Sequence, residues 1–110
     1  MNRITQLRAL SGLAALMRDQ SLEALRRADQ RCQETRDLIA GLAAPPAEDI
    51  APLIQAQAEI AYTRWADQRR AELNLCLARQ MAEWVQCQDA ARITFGKAEV
   101  LRRLGLQKTL

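Results

Sequence analysis

The stretch Gly41-Leu-Ala-Ala-Pro-Pro46 decides the fold, because it divides the chain into two long segments of helical pattern. Proline lacks the amide hydrogen that a helix needs, and its ring clashes with the preceding turn. A first helix must therefore end before Pro45. Asp49 is a suitable N-cap for a second helix, and Pro52 is tolerated in a first turn. Gly105, near the other end, is a suitable C-terminal cap.

The composition favours helices over a sheet. Alanine, leucine, arginine, glutamate and lysine supply more than half of the 110 residues, and these are strong helix formers. Valine occurs only twice, whereas sheets use many β-branched residues. We predict one all-α domain over residues 1–110, with helix one over 3–43, a turn over 44–49 and helix two over 50–104. Helices joined by a short turn pack antiparallel, so the prediction is an antiparallel two-helix coiled-coil hairpin with a longer second helix.

Both segments carry a stripe of apolar and small residues at steps of three and four, which is the spacing of a coiled-coil contact line. One extra step of four, at Ser21, predicts a stutter that locally unwinds the supercoil. The predicted contact line of the first helix comprises Leu7, Leu10, Ala14, Met17, Ser21, Leu25, Ala28, Cys32, Thr35, Ile39 and Leu42. The less regular line of the second comprises Ile54, Ala58, Ala61, Trp65, Leu73, Leu77, Met81, Trp84, Ala91, Phe95, Ala98 and Leu101.

The assumed position of the turn sets the register of the hairpin. If the turn centres near Ala44 and Pro45, Leu7 faces Trp84 near the start of the first helix. Leu25 then faces Ala66.

In this register about fifteen residues of the second helix, 90–104, extend beyond the first by roughly 22 Å. Their apolar stripe would lack a partner in its own chain, and such stripes usually dock on another protein. The residues expected to bind a partner there are Ala91, Phe95, Ala98 and Leu101. A homodimer, in which two hairpins form a four-helix bundle, is the alternative. Apolar residues off the contact line favour it, namely Ile60, Leu75, Ile93 and Val100.

Charge is concentrated at the carboxyl end. Sixteen basic and thirteen acidic residues give a net charge of +3, which is small for a dedicated nucleic-acid binder. Residues 92–110 carry five basic residues against Glu99 alone. We expect Arg102 and Arg103 to steer an acidic protein partner towards this end.

The sequence offers no pattern typical of catalysis or metal binding. It has no histidine, and a two-helix hairpin has no cleft in which to bury a catalytic carboxylate. Cys32, Cys76 and Cys87 lack the spacing of a zinc site or a disulfide framework. We expect no enzyme activity, no metal and no cofactor, with the cysteines as small packing residues and redox sensing as the alternative. Without a stretch of about 20 apolar residues to span a bilayer, the expected location is cytoplasmic.

Aromatic and arginine residues cluster at one place only. Tyr62 and Trp65 lie one helical turn apart, with Arg64, Arg69 and Arg70 nearby. Trp65 could belong to the hairpin contact line with Tyr62 shielding its edge. The cluster could instead be a protein-binding hot spot, since tyrosine, tryptophan and arginine are enriched there. A stacking platform for single-stranded nucleic acid is the third interpretation.

The chain resembles the FliJ/YscO-type stalk proteins of flagellar export and type III secretion. The resemblance rests on a short helical hairpin with a longer second helix. It rests also on the stretch Arg70-Ala-Glu-Leu73-Asn74, which continues through Trp84 and then Arg92 to Leu104 at coiled-coil spacing. In that family the terminal end of the hairpin inserts into a hexameric export ATPase, as the central stalk of a rotary ATPase does. A patch on the second helix contacts the membrane export gate.

The resemblance implies a non-catalytic stalk or escort protein in protein transport, peripheral to a membrane at most. It assigns the contact with the export gate to Ala58, Tyr62, Trp65 and Arg69, which share one helical face. The alternative function is a homodimeric coiled-coil adaptor or chaperone. A nucleic-acid-binding helical protein is the most distant interpretation.

Overall fold

The computed structural model of the chain describes residues 2–43 and 51–109, with side chains through residue 107. Every described residue except Asn2 and Ala51 is helical. Helix α1 spans Arg3–Ala40 and is followed by a short 3-10 helix over Gly41–Ala43, and α2 spans Pro52–Thr109. An all-α hairpin with a longer second helix is therefore confirmed.

Local chemistry explains where the two helices begin. The side-chain oxygen of Asn2 accepts hydrogen bonds from the amide and the hydroxyl of Thr5, both at 2.8 Å. Asn2 is thus the N-cap of α1. Helix α2 begins with Pro52, a residue favoured at the first helical position because the amide there has no helical acceptor. The predicted N-cap Asp49 and the predicted turn over 44–49 lie outside the described residues.

The predicted cap at Gly105 is wrong, because α2 continues through this residue to Thr109. A glycine cap requires a positive φ, and no glycine of the described chain has one. Gly105 lies in a pocket with Leu7 of α1.

The contact line of α1 is more regular than predicted. Buried and half-buried residues follow one another in alternating steps of four and three, so the predicted stutter at Ser21 is wrong. Ser11 and Arg18 take the places predicted for Leu10 and Met17, which are exposed. The observed line comprises Leu7, Ser11, Ala14, Arg18, Ser21, Leu25, Ala28, Cys32, Thr35, Ile39 and Leu42.

The contact line of α2 also differs from the prediction by single positions. Met81 and, in one of the interpretations, Trp65 were predicted to pack, but each is exposed beside the observed line. Phe95, which was placed on the same stripe, is exposed as well. The exposed early positions Ile54, Ala58 and Ala61 do not belong to it either. The observed line comprises Tyr62, Ala66, Arg70, Leu73, Leu77, Gln80, Trp84, Cys87, Ala91, Thr94, Ala98, Leu101 and Gly105.

Helix contacts divide the chain into two compact units. Unit 1 consists of residues 1–29 and 82–110, and unit 2 of residues 30–81. In unit 2 a cluster of Leu42, Ala66 and Leu73 is packed by Ile39 and Tyr62. In the described part of unit 1 the buried residues are all alanines, namely Ala14, Ala28, Ala91 and Ala98. Small side chains at a helix contact allow the two axes to approach closely.

The observed register overturns the predicted overhang. In unit 1 Leu7 shares a pocket with Leu101, and Leu25 shares a groove with Ala91. The predicted pairs of Leu7 with Trp84 and of Leu25 with Ala66 are therefore wrong. Residues 90–104 pack along α1 rather than extending beyond it.

The exposed stretch of α2 lies instead at its beginning, in unit 2. Leu42, in the last turn before the undescribed residues, already packs beside Tyr62 and Ala66. Between Pro52 and Ala61 only Gln55 is even half-buried. The first turns of α2 therefore do not pack against α1.

Candidate protein-interaction site

The four apolar residues predicted to bind a partner at the carboxyl end fall into two groups. Ala91 and Ala98 are only 6 % and 7 % exposed, because they pack against α1 in unit 1. Their predicted role as partner contacts is therefore wrong. Leu101 is half-buried, and Phe95 is 55 % exposed. Phe95 alone of the four presents most of its side chain to a partner.

The two arginines predicted to steer a partner are tied to one carboxylate. Arg102 donates to both oxygens of Glu99, with distances of 3.0 and 2.7 Å, and Arg103 donates to Oε1 at 3.1 Å. The hydrogen bond from Arg102, followed by that from Arg103, lowers the pKa of Glu99 from 4.5 to about 2. The pKa of Arg102 is raised by the same partner. Glu99 therefore partly neutralises the cationic end.

The structure reverses the roles that Tyr62 and Trp65 would have if Trp65 belonged to the core. The hydroxyl of Tyr62 donates to the carbonyl oxygen of Leu42 at 3.3 Å, and its ring packs on the core of unit 2. Trp65 is 55 % exposed, and its ring centroid lies 5.8 Å from that of Tyr62. Tyr62 thus packs on the core while Trp65 lies outside it in contact with the Tyr62 ring, and the interpretation that Trp65 packs in the contact line is wrong.

The remaining residues assigned to the export gate are exposed on α2. Ala58 and Arg69 are exposed, as Trp65 is. Ala58 lies seven residues before Trp65, and Arg69 lies four residues after it. Arg69 donates to Glu72 at 3.3 Å. Of the four residues assigned by resemblance, three are accessible, and Tyr62 is half-buried.

A groove on unit 1, called here the Met17 groove, was not recognised as a site from the sequence. It encloses about 670 Å³ and lies between α1 and α2. Its lining consists of Leu10, Leu13, Ala14, Met17, Arg92, Ile93, Gly96, Lys97, Val100 and Leu101. Leu13, Ile93 and Val100 are each more than half exposed, so the groove is an open apolar surface.

A signal for this groove is present in the sequence. Leu10, Leu13 and Met17 recur at steps of three and four, and Ile93 and Val100 are seven residues apart. These are spacings of one helical face. Ile93 and Val100 were recognised as lying off the contact line, but Leu10 and Met17 were assigned to it.

A smaller pocket, called here the Leu7 pocket, lies where the first turns of α1 meet the last turns of α2. It encloses about 280 Å³ in unit 1. Its lining consists of Ile4, Leu7, Arg8, Ser11, Leu101, Arg102, Gly105 and Leu106. Apolar residues and two arginines together line it, which is a composition typical of protein interfaces.

The cysteines differ in burial. Cys32 is 2 % exposed and packs in the contact line of α1, as predicted. Cys87 is half-buried, whereas Cys76 is exposed, so the expected packing role is wrong for Cys76. Within the described residues no three acidic or cysteine side chains come together as metal ligands.

Neither described helix contains a stretch that is long and apolar enough to cross a bilayer.

Comparison of the chain with known proteins gave no match. No known protein family, curated protein or solved structure proved similar to the chain.

Proposed function

We propose that the chain is a non-catalytic coiled-coil stalk or escort protein of a flagellar or type III protein-export ATPase. The observation that carries the proposal is the pairing in unit 1 of the first turns of α1 with the last turns of α2. This pairing forms a two-stranded helical end. In the stalk family that the chain resembles, the corresponding end of the hairpin inserts into the ATPase hexamer.

The Leu7 pocket supplies the contact surface for that insertion. Leu7, Leu101 and Leu106 provide apolar area at the end of unit 1, and Arg8 and Arg102 line the same pocket. Apolar anchors with charged neighbours are the usual composition of a protein interface. The arginines would raise the association rate with an acidic ring, and the apolar residues would slow dissociation.

Trp65 is the proposed centre of the contact with the export gate. Its exposed ring contacts the ring of Tyr62, whose own hydroxyl donates to the carbonyl oxygen of Leu42. A large aromatic side chain fixed in one orientation loses little entropy on binding, which is why tryptophan is enriched at hot spots. Ala58 and Arg69 flank it on the accessible surface of α2.

Binding to the purified ATPase hexamer at two salt concentrations tests the proposal. Changing Arg8 and Arg102 to glutamate should weaken binding about tenfold or more at low salt and less at high salt. Arg36→Glu is the matched control, because Arg36 is exposed on α1 in unit 2. Equal binding by the wild type and the double variant would contradict insertion of this end.

A homodimeric adaptor or chaperone is the second candidate. The observation in its favour is the set of large apolar side chains that the hairpin leaves exposed, such as Leu38, Leu75 and Val85. A four-helix bundle of two hairpins would cover such residues. Sedimentation equilibrium tests it: a wild type that stays monomeric at high concentration removes this candidate.

A further inference from the structure

We infer that the Met17 groove of unit 1 binds an acidic amphipathic helix of a partner protein. The inference goes beyond the export role, because it concerns a surface other than the Leu7 pocket and holds for any partner that carries such a helix.

The apolar side chains of the groove have the geometry that a third helix needs. Leu10, Leu13 and Met17 lie along α1 at steps of three and four, and Ile93 and Val100 lie one heptad apart on α2. Two such rows make a trough parallel to the helices, which is the surface used in helix-in-groove recognition. A docking helix would place an apolar residue against them every three or four positions.

Small residues in the lining of the groove leave room for close approach. Ala14 of α1 and Gly96 of α2 line it with little or no side chain. A Cβ atom added at Gly96 would meet nothing within 4 Å. The space above this glycine is therefore open, and its lack of a side chain serves no packing need within the hairpin.

Two basic side chains determine which charge a helix bound in the groove should carry. Arg92 and Lys97 line the groove, and no carboxylate among the described residues forms an ion pair with either. By contrast, Arg102 and Arg103 share Glu99 on the same helix. An apolar groove that carries uncompensated positive charge favours a helix whose apolar stripe is flanked by glutamate or aspartate.

The same charges argue against a second copy of the chain as the occupant. In a two-fold symmetric dimer the same patch meets itself. Each groove would then face the Arg92 and Lys97 of the other copy, and like charges brought together at an interface oppose association. A partner of opposite charge meets no such repulsion.

A pair of designed peptides tests the inference with the full chain. Both are 21-residue helices with leucine at the a and d positions; one carries glutamate at e and g, and the other carries lysine. Fluorescence anisotropy should show that the glutamate peptide binds at least about tenfold more tightly than the lysine peptide. Changing both Arg92 and Lys97 to glutamate should reverse that preference. Equal binding of the two peptides by the wild type would overturn the inference.

Two further variants locate the binding. Gly96→Leu should fill the open space beside Gly96 and weaken binding of the glutamate peptide about tenfold or more. The melting temperature should be kept or raised, because leucine favours a helix over glycine. Leu13→Asp should weaken binding similarly. Leu16→Asp is its control, since Leu16 is 62 % exposed and does not line the groove. Unchanged binding by Gly96→Leu would place the peptide elsewhere and overturn the inference.

Sedimentation equilibrium tests whether a second copy of the chain occupies the groove instead. A wild type that dimerises, and that becomes monomeric in Leu13→Asp but not in Leu16→Asp, would assign the groove to a second copy and overturn the inference. A monomeric wild type that binds the glutamate peptide supports it. Because these readouts involve no ATPase, failure of peptide binding and failure of the proposed stalk function are distinguishable.

Discussion

Units 1 and 2 are built from the same two helices, but they bury different kinds of side chain between them. Unit 2 buries the large side chains Leu42 and Leu73 and packs Tyr62 against them. A side-chain hydrogen bond also crosses between its helices, from the Thr35 hydroxyl to Gln80 Oε1 at 2.6 Å. In unit 1 the buried residues of the described chain are alanines, and residues such as Leu13 are exposed.

The difference lies in the size of the side chains that the two helices bury between them. Leucines inside unit 2 remove apolar area from water and so stabilise the hairpin itself. Alanines inside unit 1 remove less area, but they bring the helices close and leave the large side chains on the outer faces. Large apolar side chains nevertheless remain exposed in both units, among them Leu13 in unit 1 and Trp65 in unit 2.

The largest expected effect is a cavity in unit 2. Leu73→Ala should lower the free energy of unfolding by about 2–5 kcal/mol, because Leu73 is 6 % exposed in the core cluster. Leu75→Ala should change it by less than about 0.5 kcal/mol, since Leu75 is 64 % exposed. Urea unfolding followed by circular dichroism measures both. Similar losses in the two variants would mean that the cluster is not the core of unit 2.

The reverse change tests unit 1. Ala91→Leu should lower the free energy of unfolding by about 1–3 kcal/mol, because a larger side chain must push the closely packed helices apart. Ala90→Leu is the matched control: Ala90 is exposed, and leucine is nearly as good a helix former as alanine. If Ala91→Leu proves neutral or stabilising in urea unfolding, the alanine contact in unit 1 is not closely packed.

A smaller effect is expected from the polar contact of unit 2. Thr35→Val should lower the free energy of unfolding by about 1 kcal/mol through loss of the hydrogen bond to Gln80. Thr94→Val serves as the control in unit 1, where the Thr94 hydroxyl donates only to nearby carbonyl groups of its own helix. Thermal unfolding should separate the two variants, and equal shifts would remove the contrast between the units.

The smallest effect is electrostatic and depends on pH. The pKa of Glu99 is lowered to about 2 in the folded chain by Arg102 and Arg103. Its ion pairs therefore stabilise the fold above pH 4.5, and this contribution is lost as the pH falls from 4.5 towards 2. Glu99→Gln should be slightly less stable than the wild type at pH 7, and the difference should shrink as the pH falls from 4.5 to 2. A difference in melting temperature that is as large at pH 2 as at pH 7 would contradict this origin.

The fold class could be predicted from the sequence because helix-forming composition and the prolines at 45 and 46 act locally. The register could not. A tight turn places Leu25 opposite Ala66, whereas Leu25 lies beside Ala91. Register depends on which faces pack, and Leu42 meets Tyr62 rather than the first turns of α2.

The candidate site was only partly predictable for a related reason. Large apolar residues were assigned to the contact line of α1, so Leu10 and Met17 were expected to face the other helix. The packed line uses smaller or polar residues one position away, such as Ser11 and Thr94. Trp65 is accessible, as the hot-spot interpretation requires, but a helical pattern alone could not separate its position from that of Tyr62.

Hydrogen exchange across the two helices of unit 1 tests directly whether residues 90–104 pack on α1. Ala98→Glu places a charge in the alanine contact and should lower the protection of α1 amides between Leu7 and Arg18, because their partner helix is displaced. Ala90→Glu, on the exposed side, should leave these amides protected. If Ala98→Glu also leaves them protected, residues 90–104 do not pack on α1, and the account of unit 1 is wrong.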